Sequence, residues 1–394
     1  MLVAPYSPGE IPEHLGAAKK IELVASLLRK LHFEVHLVDS SHAQLGFLPP
    51  ILGLKQQLED QDITLWRPFS LPSRKIGKLL NVYLSGYLFK RIAAFNPALV
   101  WLYNSYSFEA QLGLYLRQRT ACKLVLELED LPRARNRGLN PKPVLDQMYF
   151  NKLLRQADLI TFVNAALRDR FASQMRGQAL LFPSILKKEL TVTPARSRFS
   201  GSIHYLGYFG GLESDKGVGI LLDLLPRLPE PWHLIVTGAG SLEAEFRAAQ
   251  IKFPSKLSFH GRVSHGRVAE LMYECDAVVN PHVSIAHMQD GVFPFKVCES
   301  IATGALLIST ALPPIDINLS RSVCFFDGSV DGLLAALHGA RRIYDSQRED
   351  VLRARDEICQ RYSEEAVLHD LSEAVANLFD AHSDPHSQPS APTR

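Results

Sequence analysis

The chain has 394 residues, of which 46% are hydrophobic, and a formal net charge of +2. This near-neutral balance argues against a dedicated nucleic-acid-binding protein, and the length exceeds what one compact domain usually holds. Five cysteines without a CxxC pair predict a reducing compartment and no structural zinc. Because neither a signal peptide nor an apolar run of bilayer length is evident, the sequence predicts a cytoplasmic protein.

The first half of the chain alternates short apolar runs with helical patterns. Strands are predicted at LVAP (2–5), FEVHLVD (33–39), ALVWLY (98–103), KLVLELE (123–129) and DLITFV (158–163), with a helix at AAKKIELVASLLRKLH (17–32). Strands this apolar, with a helical pattern between each and the next, predict a parallel sheet that is covered on both faces.

Residues 73–95, SRKIGKLLNVYLSGYLFKRIAAF, mix basic side chains with leucines and aromatics. This composition is found in helices that lie on a membrane surface. It is more often that of an ordinary core helix with basic flanks, and we favour the core helix. Peripheral membrane contact through the first domain stays open as the alternative.

The second half repeats the plan of the first. Strands are predicted at 203–210, 233–240, 257–261, 276–281 and 305–310, and helices at 216–228, 241–252, 265–274 and 364–379. We assign residues 1–185 to a first domain, 186–200 to a linker and 201–362 to a second domain, followed by a helix over 363–380 and a disordered tail over 381–394. The predicted fold is therefore α/β, with two doubly wound, Rossmann-like domains in tandem that face a cleft.

The stretch DGVFPFKVCESIATG (290–304) places a lysine at the start of a helix. A helix from Pro294 to Thr303 puts Lys296 in its first turn, where the helix dipole disfavours a cation. The free N–H groups of such a turn suit a phosphate, to which Lys296 would add charge, and Glu299 could accept hydrogen bonds from a ribose diol. The alternative is a solvated i,i+3 salt bridge between Lys296 and Glu299.

A second anion site is predicted in GYFGGLESDKGVGILL (207–222). A strand, the pair Gly210 and Gly211, a short polar loop and Lys216 before a helix can bring backbone close to a pyrophosphate. The spacing is neither that of a P-loop nor that of a dinucleotide-binding turn. Glycines after a strand commonly form only a turn, which is the alternative here.

Four segments in order resemble the nucleotide-sugar domain of the retaining GT-B glycosyltransferases of family 4. They are FGGLESDKGV, LIVTGAGSLEAEF, FHGRVSHGRVAELMYECDAVVNP and GVFPFKVCESIATGALLIST. The first half is similar to that family's acceptor domain more loosely, through GAAKKIELVASLLRKLHFEVHLV and LLRQADLITFVNAALRDRF. The helix near 364–379 resembles the family's terminal helix, which crosses back onto the first domain.

The resemblance implies a donor site in the second domain. Lys216 would contact the donor diphosphate and Glu299 the ribose. Apart from the resemblance, we expect Lys296 to join Lys216 as a second catalytic cation on the departing phosphates. The remaining donor-site positions would be Gly210, Gly211, Arg262, Val263, Asp290, Gly291, Val292 and Phe293.

Two positions depart from the family pattern. Gly211 stands where relatives often have an arginine, and the carboxylate expected before Glu299 falls on Gly291, with Asp290 one place off. We infer that Lys296 replaces the charge of the missing arginine.

The acceptor side is expected in the first domain. Relatives often have a catalytic His or Asp after the strand that ends LVLELEDLP, which indicates Asp130, with Glu129 beside it. A turn at the strand end is the alternative for both. Acceptor contacts are expected from Gly16 and from Arg133 and Arg135 of a basic loop that would suit a phosphate-bearing acceptor, although such a charge run is more often solvated surface.

No metal and no other cofactor is expected. DQD at 60–62 has the letters of a metal-binding DxD motif, but it falls in a predicted polar loop of the first domain. The expected activity is that of a metal-independent, hexosyltransferase-type retaining enzyme that moves a sugar to a glycan or lipid-linked acceptor, in cell-surface polysaccharide or glycolipid synthesis. Two alternatives stay open: a nucleotide-sugar epimerase, and a degenerate GT-B protein that binds a nucleotide sugar or a partner without turnover.

Overall fold

The structure is a computed structural model that describes residues 1–6, 15–40, 49–58, 61–69, 85–129, 131, 142–193, 196–282 and 293–380. Two sheets organise these residues. Asp130, Arg133, Arg135, Asp290, Gly291 and Val292, together with the predicted tail over 381–394, lie outside the described residues.

The first sheet has eight strands in the order β3-β4-β2-β1-β5-β6-β7-β8, all parallel except β3. The strands β2, β6 and β7 are buried at every position, because helices cover both faces of the sheet. The strands are β1 (Leu2–Ala4), β2 (His36–Asp39), β3 (Ile51–Leu58), β4 (Gln61–Arg67), β5 (Leu99–Tyr103), β6 (Lys123–Leu128), β7 (Leu159–Phe162) and β8 (Gln178–Leu181).

The helices of the first half connect these strands. They are α1 (Leu15–Lys30), α2 (Gly86–Phe95), α3 (Ser107–Arg119), α4 (Lys142–Gln156) and α5 (Ala165–Phe171). The basic segment over 73–95 contains α2, which buries Leu88, Phe89 and Ile92 in the core. No described helix is both long and apolar enough to cross a bilayer.

The second sheet is entirely parallel, with six strands in the order β11-β10-β9-β12-β13-β14. The order reverses between β9 and β12, which opens a crevice at the carboxyl ends of those strands. The strands are β9 (His204–Phe209), β10 (Trp232–Thr237), β11 (Leu257–Phe259), β12 (Ala277–Asn280), β13 (Leu306–Ser309) and β14 (Val323–Phe325). The helices are α7 (Gly219–Leu224), α8 (Glu243–Lys252), α9 (His265–Glu274), α10 (Phe295–Ala302) and α11 (Val330–Arg361). The prediction of two doubly wound domains is confirmed.

Four strands lie outside the predicted set: β3, β4, β8 and β14. The first two form an antiparallel hairpin, in which Gln61 pairs with Leu58 and Asp62 with Gln57. The prediction that DQD lies in a polar loop is therefore wrong for Gln61 and Asp62, which open β4. Gln61 and Asp62 are too polar to show the apolar run of a buried strand. The strands β8 and β14 lie at the edges of their sheets and are only partly buried.

The chain passes between the domains at two adjacent points. The first crossing contains Leu186 and the short helix α6 (Lys188–Val192), and the second lies at Tyr362. The two crossings are joined by a hydrogen bond of 2.7 Å from the Leu186 N–H to the Tyr362 carbonyl. Beyond it, α12 (Glu364–Asp380) returns to the first domain, where Leu371 and Val375 share a core cluster with Ile21 of α1.

Candidate active site

The glycine turn after β9 is closed towards the sheet and open on its other side. The Gly210 N–H donates to the Thr237 carbonyl at 3.2 Å. A Cβ added to Gly238 would lie 1.8 Å from the Gly210 carbonyl oxygen, so only glycine permits this approach of the two backbones. A Cβ added to Gly211 would meet nothing within 4 Å. The open side of the turn at Gly211 therefore has room for a ligand.

Lys216 ends a short 3-10 turn (Ser214–Lys216) on the same loop. The Glu213 carboxylate fixes this loop, because it accepts hydrogen bonds from the Ser241 N–H at 3.0 Å and from the Ser241 hydroxyl at 2.6 Å. Lys216 is half-buried and makes no ion pair within the described part of the chain. Its charge is left available to an anion.

Lys296 reaches the same turn from the second domain's helix α10. Its Nζ lies 4.2 Å from the centre of the Tyr208 ring, and its aliphatic chain passes close to Gly210. Burial, together with the nearby charge of Lys216, lowers the pKa of Lys296 to about 7. The two predicted cations therefore meet at one turn, where they repel each other until an anion binds.

We expect anion binding at this turn to take up a proton above neutral pH. At pH 8 about nine-tenths of a lysine with a pKa of about 7 is uncharged, and a bound diphosphate raises its pKa so that it becomes charged. Binding of a nucleotide sugar, whose esterified phosphates do not titrate in this range, should take up nearly one proton at pH 8 and almost none at pH 6. Calorimetry in two buffers of different protonation enthalpy measures this number.

The control for this experiment is Lys296→Met, in which proton uptake at pH 8 should disappear. Wild-type protein that binds the nucleotide sugar at pH 8 without proton uptake would contradict either the lowered pKa of Lys296 or its placement beside the phosphates.

Glu299 lies one helical turn after Lys296 but does not pair with it. The Glu299 carboxylate instead binds the Nζ of Lys19, on α1 of the first domain. The alternative of a solvated salt bridge between Lys296 and Glu299 is therefore wrong. Because the Glu299 side chain is only 10% exposed, its charge needs a partner, which the other domain supplies.

Glu129 follows the carboxyl end of β6 and pairs with the next lysine of α1. The Lys20 Nζ binds the Glu129 carboxylate and lies 3.0 Å from Glu127 Oε1. The Glu129 N–H donates to the Asn104 side chain at 2.8 Å, and the Trp101 ring N–H donates to Glu127 Oε2 at 2.7 Å. Burial opposes the Lys20 charge, but Glu129 and Glu127 outweigh it and hold the pKa of Lys20 above its ordinary value.

The other predicted site residues lie around this centre. Arg262 is exposed and Val263 half-buried, after the edge strand β11. Phe293 is buried in the core, so its backbone rather than its ring can approach a ligand. Gly16 lies in the first turn of α1. Within the described residues, no group of three His, Cys, Asp or Glu side chains could hold a metal ion.

Sequence reasoning missed Lys19, Lys20 and Tyr208. The sequence carries no local signal for Lys19 and Lys20, because two lysines in the second turn of a helix are ordinarily solvated. The Tyr208 ring lies under Lys296, and its hydroxyl donates to the Gly211 carbonyl at 2.7 Å, which links the two ends of the glycine turn.

Part of the chain matches a known protein family in sequence, and the whole chain resembles solved structures in fold. Residues 203–338 match the family model described as Glycosyl transferases group 1. No curated protein matches the chain in sequence.

Three solved structures share the fold over nearly the whole chain. Sucrose-phosphate synthase from Thermosynechococcus elongatus aligns with a TM-score of 0.69 at 14% identity, over 97% of this chain and 100% of that one. Anabaena HepE in complex with UDP aligns at 0.66 and 13% identity, over 95% and 99%. Trehalose 6-phosphate synthase from Burkholderia multivorans aligns at 0.64 and 11% identity, over 100% and 98%. The second domain therefore matches the Glycosyl transferases group 1 family, and the whole chain has the two-domain GT-B fold of these three proteins.

Proposed function

We propose that the protein is a retaining glycosyltransferase that takes its sugar from a nucleotide-sugar donor. The observation that carries this proposal is the convergence of Lys216 and Lys296 on the glycine turn after β9. Two cations at the carboxyl ends of parallel strands suit a diphosphate, and Glu299 one turn further along α10 suits a ribose. HepE, which has the same fold, is known in complexes with UDP and with UDP-glucose, and this supports a nucleotide-sugar donor.

The reaction breaks the bond between the anomeric carbon and a phosphate oxygen, so the nucleoside diphosphate leaves with the electron pair. The oxygen of the acceptor hydroxyl forms the new bond to the anomeric carbon, and its proton passes to the departing diphosphate. Positive charge placed in advance on that leaving group is the largest contribution that such a site makes. Lys216 and Lys296 supply this charge without a metal ion. Glu129 and Asp130 of the first domain then stabilise the positive charge of the sugar or orient the acceptor hydroxyl.

The proposed acceptor is a glycan or a lipid-linked sugar, used in surface polysaccharide or glycolipid synthesis at the cytoplasmic face of a membrane. This part of the proposal rests on the family resemblance. Two of the structural neighbours are synthases of sucrose phosphate and trehalose 6-phosphate, so a phosphorylated sugar is the acceptor class to test beside it.

The first test is a thermal-shift panel of nucleoside diphosphates. A ligand that binds only the folded protein raises the unfolding midpoint, so one nucleotide should stabilise the wild type and identify the donor base. Lys216→Ala and Glu299→Ala should each remove most of that shift. No shift with any nucleotide would overturn the donor site.

Turnover separates the transferase from its two alternatives. A transferase releases nucleoside diphosphate from the donor only as fast as the acceptor is glycosylated, apart from slow hydrolysis. If the protein binds the donor but releases no nucleoside diphosphate in the presence of glycan, lipid-linked and sugar-phosphate acceptors, the degenerate binding protein is favoured. Gly211 and Gly291, which replace charged residues of the family pattern, are consistent with that alternative. An epimerase would change the configuration of the sugar without an acceptor.

A further inference from the structure

An ion pair crosses the cleft beside the candidate donor site. Lys19 lies in the second turn of α1 in the first domain, and its Nζ binds Oε1 of Glu299 on α10 in the second domain. The Lys19 and Glu299 side chains are 17% and 10% exposed, so the pair is largely removed from water. Removing one partner of such a pair leaves the other charge buried and unpaired.

The position of Lys19 is fixed from both domains. The neighbouring Lys20 anchors this turn of α1 between Glu127 and Glu129. On the other side the Lys19 Nζ lies 5.2 Å from the centre of the Phe295 ring, and Phe295 packs against the core cluster of the first domain. Lys19 therefore meets Glu299 only where the first domain docks on α10.

Glu299 keeps hydrogen-bond acceptor capacity for a ligand while it is paired with Lys19. Among the described residues Lys19 is its one side-chain partner, and it contacts Oε1. A carboxylate offers about four acceptor positions, so Oε2 and the second lone pair of Oε1 are available to two hydroxyl groups. Lys19 also neutralises a carboxylate that would otherwise repel a diphosphate bound at Lys216 and Lys296.

We propose that Lys19 is a positioning residue for the donor ribose. It holds the Glu299 carboxylate in the orientation that accepts the two ribose hydroxyls, so recognition of the ribose requires the first domain to be docked on the second. This inference rests on the proposed function, because it needs Glu299 to bind the ribose.

The test compares UDP with 2′,3′-dideoxyuridine 5′-diphosphate in the full-length wild type, Lys19→Met, Lys19→Arg and Lys30→Met. Wild type should bind UDP about 10- to 100-fold more tightly than the dideoxy analogue, the effect of hydrogen bonds to a charged group. Lys19→Met should reduce this ratio to about 3-fold or less, mainly by weakening UDP binding, and Lys19→Arg should restore part of it. If Lys19→Met acted only by removing positive charge, it would weaken the binding of UDP and of the dideoxy analogue alike. The ratio of the two dissociation constants would then stay unchanged.

Lys30→Met is the matched control, because it removes the same charge from the other end of α1, where Lys30 pairs with Glu364. It should change neither dissociation constant. If wild type discriminates but Lys19→Met discriminates equally well, or binds UDP more tightly, the positioning role is overturned and the donor site stands. If wild type binds both ligands equally, Glu299 does not bind the ribose and the positioning role falls, while the donor site at Lys216 and Lys296 stands. If wild type binds neither ligand, the positioning role for a uridine nucleotide falls, and the thermal-shift panel decides separately whether another nucleoside diphosphate binds the donor site.

Discussion

Lys296→Met is expected to lower kcat/KM for the sugar donor by about 100- to 1,000-fold, the range for losing one preorganised group that stabilises developing charge. Lys296 lies over the Tyr208 ring beside Gly210, with Lys216 close enough to depress its pKa. Because the leaving diphosphate gains charge in the transition state, the loss should fall on kcat as well as on KM. Steady-state kinetics with the donor identified by the nucleotide panel measures both constants.

The same substitution should stabilise the folded protein. The folded-state pKa of Lys296, about 7, lies below that of a lysine in the unfolded chain, so the folded state bears the full cost of the charge below pH 7. The cost is relieved as the pH rises from 7 towards the unfolded pKa. Lys296→Met should therefore raise the unfolding midpoint, and the gain should be larger at pH 6 than at pH 9. A fall in stability at both pH values would show that the activity loss reflects damaged packing.

Gly211→Arg tests whether Lys296 replaces a missing arginine. The open space around Gly211 accepts a side chain, and a guanidinium there can reach a phosphate in the same turn. Gly211→Arg in the Lys296→Met background should recover about 10-fold of the lost kcat/KM. A double variant no more active than Lys296→Met would contradict the compensation.

In a parallel sheet, ligands bind at the carboxyl ends of the strands, where the strand order reverses. This general feature of the fold explains how much of the candidate site the sequence could predict. Lys216 and Lys296 follow strands that neighbour each other in the sheet, so their meeting at one turn follows from local pattern and fold class. The boundaries of α10 followed from Pro294 and Gly304, which flank an apolar face at helical spacing.

The partners of the carboxylates could not be predicted in the same way. Lys19 and Glu299 are 280 residues apart and meet only through the docking of two domains, which no local periodicity encodes. A pair of lysines on a helix is ordinarily a solvated surface, and nothing in the pattern shows that one of them is buried between Glu127 and Glu129. The hairpin of β3 and β4 was missed because β3 forms the edge of the sheet, where a strand does not need an apolar run, and β4 begins with the polar residues Gln61 and Asp62.

Lys20→Met should destabilise the first domain by about 3–5 kcal/mol at pH 7.5, the cost of breaking a buried ion pair. The Lys20 side chain is 5% exposed and compensates two carboxylates, of which Glu127 is 2% exposed. Methionine keeps the aliphatic volume but leaves both negative charges without a cation. Because the pKa of Lys20 is raised, its contribution is fully present at neutral pH and is lost only above the pKa of an ordinary lysine. Urea unfolding of both proteins at pH 7.5 measures the difference.

Two comparisons distinguish this cause from a simple packing defect. Lys30→Met removes a cation from the same helix, but the Lys30 side chain is 48% exposed and its pair with Glu364 contributes about 1 kcal/mol or less. Adding Glu127→Gln and Glu129→Gln to Lys20→Met should recover part of the stability, since amides leave no buried charge. A Lys20→Met protein as stable as Lys30→Met would contradict the structural role assigned to the contacts of Lys20 with Glu127 and Glu129.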